Sequence, residues 1–130
     1  MTNWRYALSV MFFGFWGGIL RYFFGVWFQF NGTIMVNLIG CFSLAFLTYF
    51  FLAYKKVSGW FTIGLGMGLV GSFTTFSTFN LDLLKLALAH QNTYLIFYLL
   101  LSVFGGLALS FCGYWFGTKT GKRFSQEVMA

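Results

Sequence analysis

Four apolar runs, each long enough to cross a bilayer, take up nearly the whole chain: about Tyr6 to Phe28 (6–28), Thr33 to Tyr54 (33–54), Trp60 to Ala89 (60–89) and Tyr94 to Phe116 (94–116). A spanning helix needs about 20 mostly apolar residues. In lipid only helices or closed barrels satisfy every backbone group, so runs of this length read as helices. The 130 residues are 59% apolar, 25% aromatic and 8% charged, too little polar surface for a soluble domain. The expected fold is an all-α integral membrane protein, one four-span domain over residues 1–130. The first run is too long and aromatic for a cleaved signal peptide, and Arg21 stands where the apolar region should continue, so it reads as a retained span.

The breaks between runs are short: Gln29 to Gly32, Lys55 to Gly59 and His90 to Thr93. Such connections make neighbouring helices antiparallel. The sequence has no proline, so a break inside a helix must come from glycine and hydroxyl-rich sequence. The third run is longer than one span requires, carries Gly64, Gly66, Gly68 and Gly71, and passes through Gly71-Ser72-Phe73-Thr74-Thr75-Phe76-Ser77-Thr78-Phe79-Asn80. Polar or unwound backbone at membrane depth is tolerated where it is buried in protein or lines a water-filled path. Two half-helices are therefore expected to meet near Gly71 to Thr75, at a conduction or binding site. Glycines four apart recur as Gly14 with Gly18, Gly64 with Gly68 and Gly113 with Gly117. This spacing serves either tight packing within a subunit or a dimer interface. Four short spans enclose little space for a polar path, which favours a dimer.

The residues that carry chemistry are few. Asp82 and Glu127 are the only carboxylates and His90 the only imidazole, too little for a catalytic constellation or a cluster of metal ligands, so an enzyme is not expected. Cys41 and Cys112 both lie in apolar runs, where cysteine behaves as a small hydrophobe. The net charge of +6 comes from basic residues placed singly or in small groups at span ends. This is a topology signal and not a nucleic-acid surface. Arg21 either snorkels to the interface or forms an electropositive funnel for anions. Asp82 and Lys85, three apart, read as a surface ion pair near the end of the third span in preference to a substrate role. Asn37, a few residues into the second span, either bonds another helix or lines a path. Tyr98 and Ser102 share one face of the fourth span, either as packing residues with satisfied hydroxyls or as a polar rail. Phe76 and Phe79 are one helical step apart and can line one wall of a site, with ring edges that attract anions.

These residues resemble the Fluc (CrcB-type) fluoride channel family. Gly14-Phe15-Trp16-Gly17-Gly18-Ile19-Leu20-Arg21-Tyr22 is similar to the family's first-span motif. Gly32-Thr33-Ile34-Met35-Val36-Asn37-Leu38-Ile39-Gly40 resembles its second-span motif, and Gly71 to Phe79 resembles its most specific one. Phe13 and Gly18 stand where the first motif usually has Gly and Ala, and Gly106 offers no hydroxyl one turn beyond Ser102. The resemblance implies a dual-topology-type antiparallel dimer with two fluoride pores and a central structural sodium ion (Na+). It further implies that Phe76 and Phe79 turn their edges to fluoride, with Asn37, Tyr98 and Ser102 along the pore. The carbonyls of Gly71 and Thr74 would hold sodium, and Arg21 would sit at the vestibule. Fluoride holds its water tightly, and an unpaired ion in low dielectric costs on the order of tens of kcal/mol, so a pore must supply donors in place of water. Amide N–H groups, hydroxyls and ring edges are the donors at hand.

Two other readings compete. A small proton-coupled drug exporter needs a membrane-embedded carboxylate, and none occurs in the first, second or fourth run. A non-conducting assembly subunit would use the Phe and Thr cluster for packing alone. Placement of charge sets the orientation. Arg5, Lys55, Lys56, Lys119, Lys122 and Arg123 fall on the side that holds both termini, leaving Arg21 and Lys85 for the other. The termini are therefore expected on the cytoplasmic side of the cell membrane. So strong a bias suits a subunit that inserts one way and pairs with an oppositely oriented paralogue, with an antiparallel homodimer as the alternative.

Overall fold

The computed structural model describes residues 3–130, which form helices and short connections. Helix α1 covers Asn3–Phe28, α2 Phe30–Ala53, α3 Gly59–Ile63, α4 Gly71–Phe73, α5 Ser77–Leu88 and α6 Asn92–Met129. A π-helical segment, Gly64–Val70, joins α3 to α4 without interruption. Three of these helices, α1, α2 and α6, are long and apolar enough to cross a membrane unbroken. The third apolar run is divided among α3, the π segment, α4 and α5, which is consistent with a broken third helix.

Two boundaries differ from those read in the sequence. The first connection shrinks from four residues to Gln29 alone, which takes φ 48° and lets α2 start at Phe30. Gly32 makes the tight corner possible, because a Cβ there would lie 2.6 Å from the Phe24 carbonyl oxygen. At the other end α6 continues past Phe116 to Met129. Its last turns are polar and so fall outside the apolar count, yet they keep packing on α2: a Cβ on Gly117 would meet the Phe46 carbonyl at 2.5 Å, and one on Gly121 the Phe50 carbonyl at 2.7 Å. The α5–α6 corner is a Schellman turn, with His90 N–H donating to Ala87 O at 3.1 Å and Gln91 N–H to Leu86 O at 3.0 Å. His90 takes the left-handed position, φ 56°, that glycine usually fills.

Packing centres on two backbone-to-backbone contacts. Gly113, Gly117 and Gly121 bring α6 against α2. Gly64 and Gly68 of the π segment bring it against Ser9, Val10 and Phe13 of α1. Small residues at such crossings are how membrane helices gain close packing where lipid removes the hydrophobic drive. Two hydroxyls lock the second contact: Ser9 Oγ donates to Trp60 O at 2.6 Å, and Ser72 Oγ bonds Gly14 O at 2.7 Å. The glycine pairs of the third and fourth runs thus pack helices within one chain. The apolar core is small, comprising Val36, Val70, Phe73, Leu86 and Tyr98, and large apolar side chains cover the outside. Such a surface belongs in lipid.

Candidate functional site

The break lies at Thr74 to Phe76, inside the expected interval extended by one residue. Thr74 N–H makes the last helical bond, to Val70 O at 3.0 Å, and the backbone then turns extended at Thr74, ψ 158°. Asn37 of α2 occupies the gap. Its Nδ2 donates to Thr75 O at 2.8 Å, and its Oδ1 accepts from Thr75 N–H at 2.8 Å. One side-chain amide therefore replaces the helical partners of both the N–H and the carbonyl of Thr75. Because an amide nitrogen carries two protons, one N–H of Asn37 remains for another acceptor. Thr75 is 8% exposed, and its own hydroxyl caps α5 by accepting from Thr78 N–H at 3.2 Å.

These substitutions in the ladder free two carbonyls. Thr75 N–H bonds Asn37 instead of Gly71 O, and Thr78 N–H bonds Thr75 Oγ1 instead of Thr74 O. Thr74 O accepts a long 3.4 Å bond from Arg21 Nη1. The C-terminal end of α4 thus presents oxygens at the break, while α5 presents the positive end of its helix dipole. Broken membrane helices use the two kinds of end in this way, carbonyls toward cations and helix N-termini toward anions.

Arg21 is exposed and lines a cavity of about 380 Å³ with Gly18, Tyr22, Thr33, Thr75 and Thr78. The cavity joins the guanidinium to the hydroxyls at the break. Phe76, Phe79 and Tyr98 stand to the side of it as a stack. Phe76 and Phe79 have centroids 6.2 Å apart at 29°, and Phe79 and Tyr98 5.6 Å apart at 18°. Near-parallel rings turn their negative faces to one another and leave their positive edges along the flank. Phe76, 77% exposed, is the open end of the stack, and Tyr98, 0% exposed, is the buried one.

Asp82 and Lys85 do not form the surface ion pair expected from their spacing. Asp82 is 4% exposed and accepts a 2.9 Å bond from the Tyr98 hydroxyl, while Lys85 is exposed. The reason is helical phase: Phe79, Asp82 and Leu86 share the face of α5 turned to α6, and Lys85 is off it. Among the described residues the ion pair is Arg123 with Glu127, at 3.3 Å. Asp82, read as half of a surface pair, and Thr75, read only as part of the hydroxyl stretch, are the members of the site whose partners the sequence did not show. The i, i+3 relation of Phe79 to Asp82 was the available signal for the first. Ser102, one turn beyond Tyr98, has a buried Oγ without a hydrogen-bond partner, so the rail holds one engaged hydroxyl and one free. Gly106, at the next turn, is buried against Cys41.

The fold and this site define a small multi-pass helical membrane protein whose third crossing is broken around an amide clamp and an aromatic stack. The chain belongs to the family described as "CrcB-like protein, Camphor Resistance (CrcB)", whose profile matches residues 8–114. Among its relatives, "Fluoride-specific ion channel FluC 1" of Lactobacillus delbrueckii subsp. bulgaricus is 54% identical over 110 residues, covering 85% of this chain and 83% of that one. "Fluoride-specific ion channel FluC 2" of Ligilactobacillus salivarius is 50% identical over 115 residues, covering 88% and 87%. "Fluoride-specific ion channel FluC 1" of Lactobacillus johnsonii is 42% identical over 121 residues, covering 93% and 94%.

Proposed function

We propose that this protein is a passive fluoride channel of the cell membrane, not an enzyme, and that it lowers fluoride toxicity by letting the ion leave the cytoplasm. The observation that carries the reading is the break itself. A spare Asn37 N–H and the N-terminal end of α5 lie at the break, where Thr75 and Thr78 line the Arg21 cavity, and Phe76 and Phe79 follow directly on the same segment. Each is a donor or a positive edge, and such groups replace a small anion's hydration. Fluoride would pass along the Phe76–Phe79–Tyr98 stack toward the free Ser102 hydroxyl, driven by its own gradient. Asp82 keeps its carboxylate turned to Tyr98 and so away from the open end of the stack.

The freed carbonyls of Gly71 and Thr74 fit a structural sodium ion by their donor chemistry. Hard cations take several oxygens, so two from one chain make an incomplete shell that a second copy would complete. The Arg21 guanidinium on Thr74 O would have to yield its long contact to that ion. This reading takes the protein as an antiparallel dimer with two pores and a central sodium ion, formed with a second copy or with an oppositely oriented paralogue. Purified protein in liposomes should dissipate a fluoride gradient, read by a fluoride electrode, with no proton or ATP requirement. Exchange of a cationic drug for protons without fluoride flux would overturn the proposal, and so would liposomes that stay tight.

A further inference from the structure

The end of α6 carries a second polar site, away from the break. At 1.5 Å per residue its 38 residues extend about 57 Å, against about 30 Å of bilayer hydrocarbon. The apolar run ends at Phe116, so Tyr114 and Trp115 fall at the membrane surface and the next turns pass through the headgroup layer. There Tyr114, Trp115, Thr118, Lys119 and Lys122 line a cleft of about 320 Å³. Their spacing places them on one face of the helix. Tyr114 anchors one wall by packing edge-on against Tyr49 of α2, with centroids 4.6 Å apart.

Two features of the cleft are those of a binding site. Lys119 Nζ is held over the Trp115 ring, 4.9 Å from its centroid. Glu127 pairs with Arg123, so it leaves the charge of Lys119 and Lys122 uncompensated. Two ammonium groups and an indole shelf at headgroup depth match an acceptor-rich anion attached to an apolar body. We propose that this cleft binds the phosphate headgroup of an anionic membrane phospholipid, anchoring the end of α6 in the bilayer surface.

Native mass spectrometry of the full-length protein, titrated with phosphatidylglycerol or phosphatidylcholine, tests the proposal. Phosphatidylglycerol should be retained in preference. Loss of two basic residues near an anionic surface predicts about 30-fold weaker phosphatidylglycerol binding for Lys119→Gln/Lys122→Gln. Lys55→Gln/Lys56→Gln makes the same change in charge elsewhere and should leave binding near wild type. Lys119→Gln alone keeps Lys122 and tests the site if the double variant fails to assemble, with an expected weakening of about fivefold. Unchanged affinity in either cleft variant would overturn the site. Equal weakening by the Lys55/Lys56 variant would reduce it to general charge attraction and overturn it too. Displacement of phosphatidylglycerol by an equal concentration of inorganic phosphate would make the cleft a free-phosphate site and refute the lipid assignment.

Discussion

Replacing Asn37 by alanine should both loosen the break and stop conduction, because one amide holds both the N–H and the carbonyl of Thr75. Two bonds of 2.8 Å are lost together. Interhelical hydrogen bonds in membrane proteins average about 0.6 kcal/mol and reach about 1.7 kcal/mol. The Thr75 N–H and carbonyl belong to a residue only 8% exposed, so stranding them moves the cost to the upper end of that range. Two bonds then come to roughly 2–3 kcal/mol, a shift of roughly 30- to 150-fold against the intact break. Asn37→Asp separates the two roles. It keeps an acceptor for Thr75 N–H but sets an oxygen against Thr75 O and a negative charge in the anion's path. Both variants should be less stable than the wild type, with fluoride flux lost in both. Liposome efflux reads the flux, and the unfolding midpoint of purified protein reads the stability. If Asn37→Ala keeps near wild-type values in both measurements, the clamp is not what holds the break and the reasoning fails.

Phe79→Ile should reduce fluoride flux by at least tenfold, and Phe76→Ile should reduce it as well, because aliphatic side chains have no positive edge; efflux at the wild-type rate in both would refute a pore along the stack. Tyr98→Phe strands the buried Asp82 carboxylate and should cost about 1.5–3 kcal/mol of stability, read as a lowered unfolding midpoint. Gly117→Val places branched bulk where the Phe46 carbonyl sits, so α6 must move off α2 at a cost of about 1–3 kcal/mol or more; the check is the yield of folded protein against a Gly18→Val control, where nothing lies within 4 Å. A cysteine at a terminus or in the His90 to Thr93 loop, on a background without Cys41 and Cys112, should label from one side of native membranes only. Equal labelling from both sides would mean dual insertion and would remove the case for an oppositely oriented paralogue.

Long-range periodicity and local backbone chemistry are written along the chain, and what they imply can be read without coordinates. Four apolar runs required helices, because lipid offers the backbone no other donors or acceptors. The glycine and hydroxyl stretch without proline implied a broken third helix, and its break lies where that stretch weakens the ladder. The pairing of groups far apart in sequence required the tertiary structure. That Asn37 clamps Thr75, 38 positions away, depends on how α2 crosses the break, and an isolated asparagine is compatible with either a bond or a path. Asp82 looked like half of a surface pair because Lys85 is its neighbour in sequence, but the packing of α5 on α6 turned it inward to Tyr98. The polar end of α6 stayed helical past the apolar run because Gly117 and Gly121 let it ride on the α2 backbone. Hydropathy reports the solvent a segment prefers; the partner each polar group finds is decided by the crossing of helices.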